Sequence, residues 1–231
     1  MEIINNSILN EKTEIQFRKI INEICEKYYN EISKNVKGIK IIERGIIHKD
    51  ISTRWENGYI VIPVNKIEGL FNGNEKEINL IKSNIIHEIY HAKLENELPR
   101  IHQQHKEACN KEDYIKAYTI IVYIEYLAHL ESVKFEPKES INDYFESINK
   151  YNWDFSQDES KIFLIKHASY IITRSMDERV INKNYIANLR NYELREEIKN
   201  IKAILHNIEI VDDYEQLLSI ENIVKRYITN E

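Results

Sequence analysis

Glycine and proline are scarce in this chain. Its 231 residues include five glycines and three prolines. Because both residues interrupt regular elements, their scarcity predicts long elements, most of them helical. Apolar residues make up 42% of the sequence and charged residues 30%, so the chain can bury a core and keep a solvated surface. The length suits one domain, with or without a helical extension.

Cysteine is rare, and positive charge is not in excess. Cys25 and Cys109 are the only cysteines, and each falls in a different predicted helix. Two such thiols do not make a disulfide framework, and they fit a reducing cytosol. The formal charge is −6, with acids and bases interspersed. No basic stripe is present, so we expect no nucleic-acid partner.

Signals for secretion and membrane insertion are missing from the sequence. Residues 1–14 are polar and acidic, unlike the cationic and apolar regions of a signal peptide. No apolar run approaches the roughly 20 residues that cross a bilayer. We therefore expect a soluble, cytoplasmic protein that does not bind membranes.

Apolar periodicity divides the chain into helical and strand-like segments. A helix is predicted from about Glu11 to Asn35, followed by strands within Val36–His48 and Gly58–Val64. Pro63 cannot donate a hydrogen bond to a neighbouring strand, which places the second strand at a sheet edge. A helix from Glu75 to about Asn96 comes next.

The remainder of the sequence is mostly helical in pattern. A polar loop with His102 and His105 precedes a long helix from about residue 111 to 135, and further helices have breaks near Trp153, Arg179 and Val211. This order predicts an α+β fold with a large helical half. We divide it into an N-terminal α/β part (1–75), catalytic helices (76–137) and a helical C-terminal part (138–231).

The helix from Glu75 carries the motif His87-Glu88-Ile89-Tyr90-His91. Histidines four residues apart lie on one helix face and can bind a single zinc ion. Glu88 can then act as general base toward a zinc-bound water. A chain of this composition contains such a pattern by chance only about 0.03 times.

A catalytic zinc site needs a third protein ligand. The metzincin pattern requires Gly at position 94 and His at position 97, but the chain has Leu94 and Glu97. Glu125 lies in a strongly apolar helix, where a carboxylate is costly to bury unless a cation such as zinc compensates its charge. His105 remains a rival ligand, although its polar neighbours favour an exposed loop.

The pair of motifs HEIYH and Glu125-Tyr126-Leu127-Ala128-His129 resembles the gluzincin metallopeptidases, especially small bacterial and phage-borne members. The resemblance spans about residues 59–129. It implies a zincin-like fold, zinc held by His87, His91 and Glu125, and Glu88 as base. It also implies a peptide or protein substrate whose backbone adds to the edge strand, here at Tyr59, Ile60, Val61 and Ile62.

Three further side chains are candidates for supporting roles. His129 follows Glu125 by one helical turn, so it can stabilise negative charge in the transition state or hold Glu125 in place. A core histidine is the alternative. His167 and Tyr170 could close the site from a later helix.

Other functions stay open at this point. The metal could staple helices in a non-catalytic or regulatory protein that acts by binding a partner. The chain could also be a phage or mobile-element enzyme that cleaves one dedicated protein. The sequence does not specify the oligomeric state.

Overall fold

The α+β class is confirmed by a computed structural model, which is about 70% helical with a small mixed sheet. The structure describes residues 2–5, 9–28, 30, 34–43, 53–68, 70, 73–180 and 183–228. The strands are β1 (Glu2–Asn5), β2 (Gly38–Ile42), β3 (Arg54–Glu56) and β4 (Tyr59–Pro63). The helices are α1 (Glu11–Lys27), α2 (Glu75–Glu97), α3 (Pro99–Asn110), α4 (Tyr114–Ser132), α5 (Lys138–Lys150), α6 (Asp158–Ser175), α7 (Tyr192–Asn207) and α8 (Leu218–Ile228).

The chain forms two compact units. The first comprises residues 1–96 and 134–137, and the second comprises residues 97–133 and 138–231. The three-part division predicted from the sequence assigns a role to each segment, whereas the two units differ in which residues pack together. The three-part division therefore stays a prediction.

The sheet of the first unit has the strand order β1-β2-β4-β3. β1, β2 and β4 run parallel, and β3 pairs with β4 in the antiparallel sense. The expectation that the strand containing Pro63 lies at an edge is wrong, since β4 has a partner on each side. Pro63 is the last residue of β4 and is paired in register with Ile42, where β2 also ends. At a strand end the missing N–H costs little.

β1 was not predicted from the sequence, because a four-residue strand with polar neighbours gives almost no periodic signal. It pairs with β2 over its whole length, starting from Glu2 opposite Gly38. A Cβ atom at Gly38 would come within 2.6 Å of the Glu2 carbonyl oxygen. The absent side chain therefore lets β1 approach.

The core of the first unit lies where α1, α2 and the sheet meet. α1 ends at Lys27, earlier than predicted, and the predicted continuation to Asn35 falls partly outside the described residues. The part of the first predicted strand segment, Val36–His48, that follows residue 43 also lies outside them. The core is built mainly from isoleucines, with Phe17 at its centre: Ile20, Ile21, Ile24, Ile39, Ile41, Ile60, Ile62, Ile85, Ile86 and Ile89.

The second unit is helical throughout its described elements. The expected loop with His102 and His105 is wrong, because both residues lie in α3, which begins at Pro99. Proline is favoured in a first helical turn, where its N–H would have no partner. The three predicted breaks are confirmed between α5 and α6, α6 and α7, and α7 and α8.

Candidate metal centre

The motif helix α2 begins with a side-chain cap. The Asn74 Oδ1 atom accepts a hydrogen bond from the Lys76 backbone N–H at 3.0 Å, which satisfies one of the open donors of the first turn. Further along, one face of α2 is buried in the core of the first unit through Ile81, Ile85, Ile86, Ile89 and Ala92. This burial fixes the rotation of α2, and therefore the direction in which the motif side chains leave it.

Polar contacts also tie α2 to its surroundings. Near its start, Lys82 Nζ lies 2.6 Å from Glu23 Oε2 on α1. Past the motif, Trp55 Nε1 on β3 donates to Glu95 Oε2 at 2.7 Å. The second contact places the outer strand β3 beside the helix turn that follows His91.

The two motif histidines face each other. Their Nε2 atoms are 2.9 Å apart, and their ring planes are nearly perpendicular at 84°. Two imidazole nitrogens bound tetrahedrally to one zinc at 2.0–2.1 Å would be about 3.3 Å apart. A shift of a few tenths of an ångström therefore converts the observed arrangement into a pair of ligands. Both side chains are half-buried.

Glu88 lies between the two histidines in the sequence. It is buried, with 6% of its surface exposed. A carboxylate placed in such surroundings needs a compensating partner or function. On the helix it neighbours His87 without replacing a histidine on the ligand face. It can thus serve as a proton acceptor beside a metal rather than as a ligand.

Glu125 lies in the second unit, whereas His87 and His91 lie in the first. The three side chains are of the types that bind zinc, and Glu125 stays the predicted third ligand. His105 stays the rival prediction.

Glu125 lies in the middle of α4, a helix capped by Asp113, whose side chain accepts from the Lys116 N–H. One turn later, His129 Nε2 lies 3.4 Å from Glu125 Oε2. Burial is deeper at the histidine, whose side chain is 11% exposed against 32% for Glu125. Of the two roles predicted for His129, holding Glu125 in place is the one that this contact favours.

Tyr170 and His167 both lie on α6, and they contact different residues. The Tyr170 ring contacts the His129 ring, with centroids 4.1 Å apart. His167 instead lies near Tyr144 on α5, whose hydroxyl is 3.4 Å from His167 Nδ1. Burial, aided by the positive charges of Arg174 and Lys166, lowers the pKa of His167.

Burial is the main cause of a pKa shift at two further residues, Tyr126 and His105. The pKa of the Tyr126 hydroxyl is raised by burial, so this group stays protonated. The pKa of His105 is lowered by burial and by Lys106, and its Nε2 lies 3.6 Å from Cys109 Sγ. That pair lies on one face of α3.

The predicted substrate-binding residues lie in the central strand β4. Tyr59, Ile60 and Val61 are paired with β2 on one side and with β3 on the other, so a peptide cannot add to them. Ile60, Val61 and Ile62 are also almost fully buried. The sequence did not reveal β3 because its three residues, Arg54, Trp55 and Glu56, are too short a run to show a periodic pattern.

Arg174 is a further residue that sequence reasoning missed. It is 2% exposed, and its guanidinium lies over the Tyr170 ring at 2.9 Å from the centroid. An arginine four residues after a tyrosine on the same predicted helix was the available signal, because that spacing places both on one face.

No helix among the described residues is long and apolar enough to cross a membrane. Comparison of the chain with protein-family models, with curated proteins and with solved structures gives no match.

Proposed function

We propose that this protein is a zinc-dependent peptidase of the gluzincin type with a zincin-like fold. The observation that carries the proposal is the geometry of α2, where two imidazole Nε2 atoms 2.9 Å apart flank a buried glutamate. His87 and His91 are two zinc ligands, Glu125 is the third, and Glu88 is the general base.

The donor set suits zinc. Two imidazole nitrogens and one carboxylate oxygen form the ligand set of many hydrolytic zinc sites, and three protein ligands keep a fourth position available. Magnesium and calcium prefer oxygen ligands throughout, so they fit this set poorly. Copper and nickel accept imidazole as well, and measurement of the bound metal distinguishes them.

Zinc bound by these ligands would polarise a substrate carbonyl group and lower the pKa of a water molecule toward about 7. Glu88 would accept a proton from the attacking water and return it to the leaving amine. Its burial keeps the carboxylate in a fixed position and away from competing solvent. Because Glu88 moves protons and does not bind metal, its loss should separate catalysis from zinc binding.

We place the peptide substrate along β3 rather than β4. Among the described strands β3 has one partner, β4, so its other edge can accept an extended backbone. The hydrogen bond from Trp55 to Glu95 keeps that strand next to the motif helix. The two free cysteines suit a reducing compartment, and we place the activity in the cytoplasm.

The proposal predicts that Glu88→Gln binds zinc as the wild type does but loses peptide hydrolysis. Loss of a general base typically costs about 10²–10⁴-fold in rate. A mixture of quenched fluorescent peptides, with products identified by mass spectrometry, measures turnover. Zinc affinity is measured by competition with a chromophoric chelator.

Glu75→Gln is the matched control, since it makes the same change at an exposed position of the same helix. This control should retain both zinc and turnover. Undiminished hydrolysis by Glu88→Gln would contradict the mechanism. Zinc binding by the wild type without cleavage of any peptide would instead favour a non-catalytic, regulatory zinc protein that acts through a partner.

A further inference from the structure

Glu125 is held from one side by a row of contacts that belongs to the second unit. His129 Nε2 lies 3.4 Å from Glu125 Oε2, and the His129 ring meets the Tyr170 ring at an interplanar angle of 83°. Arg174 covers Tyr170, and its Nη1 donates to the Tyr170 carbonyl oxygen at 3.4 Å. These contacts connect the buried Arg174 to the carboxylate of Glu125, which we propose as a metal ligand.

The guanidinium of Arg174 lies close to two aromatic rings. Its Cζ atom is 2.9 Å from the Tyr170 centroid and 4.8 Å from that of Tyr144 on α5. Cations favour the faces of aromatic rings, and they gain more from the contact when water is excluded. Arg174 also lies in the last turn of α6, where a positive charge is favoured by the helix dipole. Tyr170 is therefore restricted in its orientation.

The register between α6 and α4 is fixed on both sides of this row. Before Tyr170, the buried Ser169 Oγ donates to the Val122 carbonyl oxygen on α4 at 2.6 Å. After α6, Arg179 Nη2 donates to the Val133 carbonyl oxygen at 2.7 Å, and the Arg179 side chain is also bonded to Asp177. These contacts prevent α6 from sliding along α4, so the Tyr170 ring stays against His129.

We propose that Tyr170 is a positioning residue for the metal centre: its ring, held by Arg174, orients His129, and His129 in turn orients the Glu125 carboxylate. The inference rests on the proposed function, because it requires Glu125 to bind zinc. Outer-shell partners of metal ligands contribute about 10–100-fold to metal affinity by fixing ligand orientation. Tyr170 acts through a ring contact, so its hydroxyl is not required.

The test compares Tyr170→Met with Phe163→Met. Methionine fills the volume of the ring with a flexible chain and so limits structural damage. Phe163 also lies on α6, is half-buried and contacts a histidine, His167, at 4.0 Å between centroids. It has the same kind of surroundings but does not touch His129.

We expect Tyr170→Met to weaken zinc binding by about 10-fold or more, and Phe163→Met by less than about 2-fold. Tyr170→Phe should bind zinc like the wild type, because it keeps the ring. The visible absorption of the cobalt-substituted protein should change in Tyr170→Met alone. Thermal unfolding of the metal-free variants measures general damage, which should be similar in the two methionine variants.

Equal zinc affinities for Tyr170→Met and Phe163→Met would overturn the inference, as would a large loss in Tyr170→Phe. If Tyr170→Met does not fold, His129→Gln takes its place, and zinc affinity equal to that of the wild type would equally overturn it. Glu125→Ala separates this failure from failure of the proposed ligand set. If Glu125→Ala binds zinc normally, the proposed ligand set is wrong; if Glu125→Ala alone weakens binding, only the positioning role is wrong.

Discussion

At the scale of single residues, the spacing of the motif determines what each side chain can do. His87 and His91 share one helix face because they are one turn apart, and their Nε2 atoms meet at 2.9 Å. Glu88 leaves the helix about 100° away from His87, which lets it assist a reaction without occupying a ligand position. Helical geometry therefore supports the proposed division between two ligands and a base.

The ligand role predicts a large loss of zinc affinity in His91→Ala. Removal of a direct ligand should cost more than the about 10–100-fold that outer-shell changes cost, so we expect a weakening of at least about 100-fold. Competition with a chromophoric chelator gives the dissociation constant. His206→Ala, which removes an exposed histidine from α7, is the control and should bind zinc normally.

Retention of wild-type zinc affinity by His91→Ala would show that the motif does not bind the metal. If zinc affinity were weakened in both His206→Ala and His91→Ala, the cause would instead be a general loss of folded protein. Far-ultraviolet circular dichroism of the metal-free proteins separates these two cases.

At the scale of elements, the helices were more predictable than the strands. α2 and α4 were anticipated within a few residues, because each is a long segment without glycine or proline that ends close to a proline, Pro99 for α2 and Pro137 for α4. Each strand has three to five residues, so the local sequence pattern gives little information about it. Strand formation depends instead on pairing with neighbouring strands. β1 exists because β2 offers it a parallel edge, which no local pattern shows.

Two element predictions were wrong for identifiable reasons. The rule that places proline at a sheet edge applies within a strand, and Pro63 ends its strand. The stretch around His102 and His105 is polar, but Pro99 starts a helix there and Ile101 and Ala108 give it a buried face. The positions of the candidate ligands on their helices were more predictable than the order of the strands, because helical spacing is local and strand order is not.

His167 on α6 should make the free energy of unfolding depend on pH. Burial, Arg174 and Lys166 lower the pKa of its imidazole in the folded protein. The unfolded chain, with a pKa of about 6.5, therefore binds a proton first as the pH falls. The contribution to stability is complete above about pH 6.5 and is lost as the pH drops toward the lower folded pKa.

His167→Phe should make the free energy of unfolding less sensitive to pH between 7.5 and 5.5. Phenylalanine can keep the stacking on Phe163, whose ring lies 4.0 Å from that of His167. Urea unfolding with a chelator present measures the effect without a contribution from zinc. The pKa of His105 is lowered too, so part of the dependence remains. An identical pH dependence in the wild type and His167→Phe would contradict this explanation.

At the scale of the whole molecule, the fold class alone does not identify the function, because one architecture can support many chemistries. The proposed function rests instead on particular side chains, above all the histidine pair and the buried glutamate of α2. The net charge of −6 fits a protein or peptide substrate better than a nucleic acid. Within the second unit, the helices α3, α6 and α8 pack against α4 and hold it in place.

The metal content and coordination of the purified protein test the central claim most directly. Elemental analysis and X-ray absorption should show one zinc per chain, bound by two imidazole nitrogens and oxygen ligands at about 2.0–2.1 Å. Glu125→Ala should lose most of that zinc under the same purification. Absence of stoichiometric metal, a coordination shell that contains sulfur, or full zinc occupancy in Glu125→Ala would contradict the proposed centre.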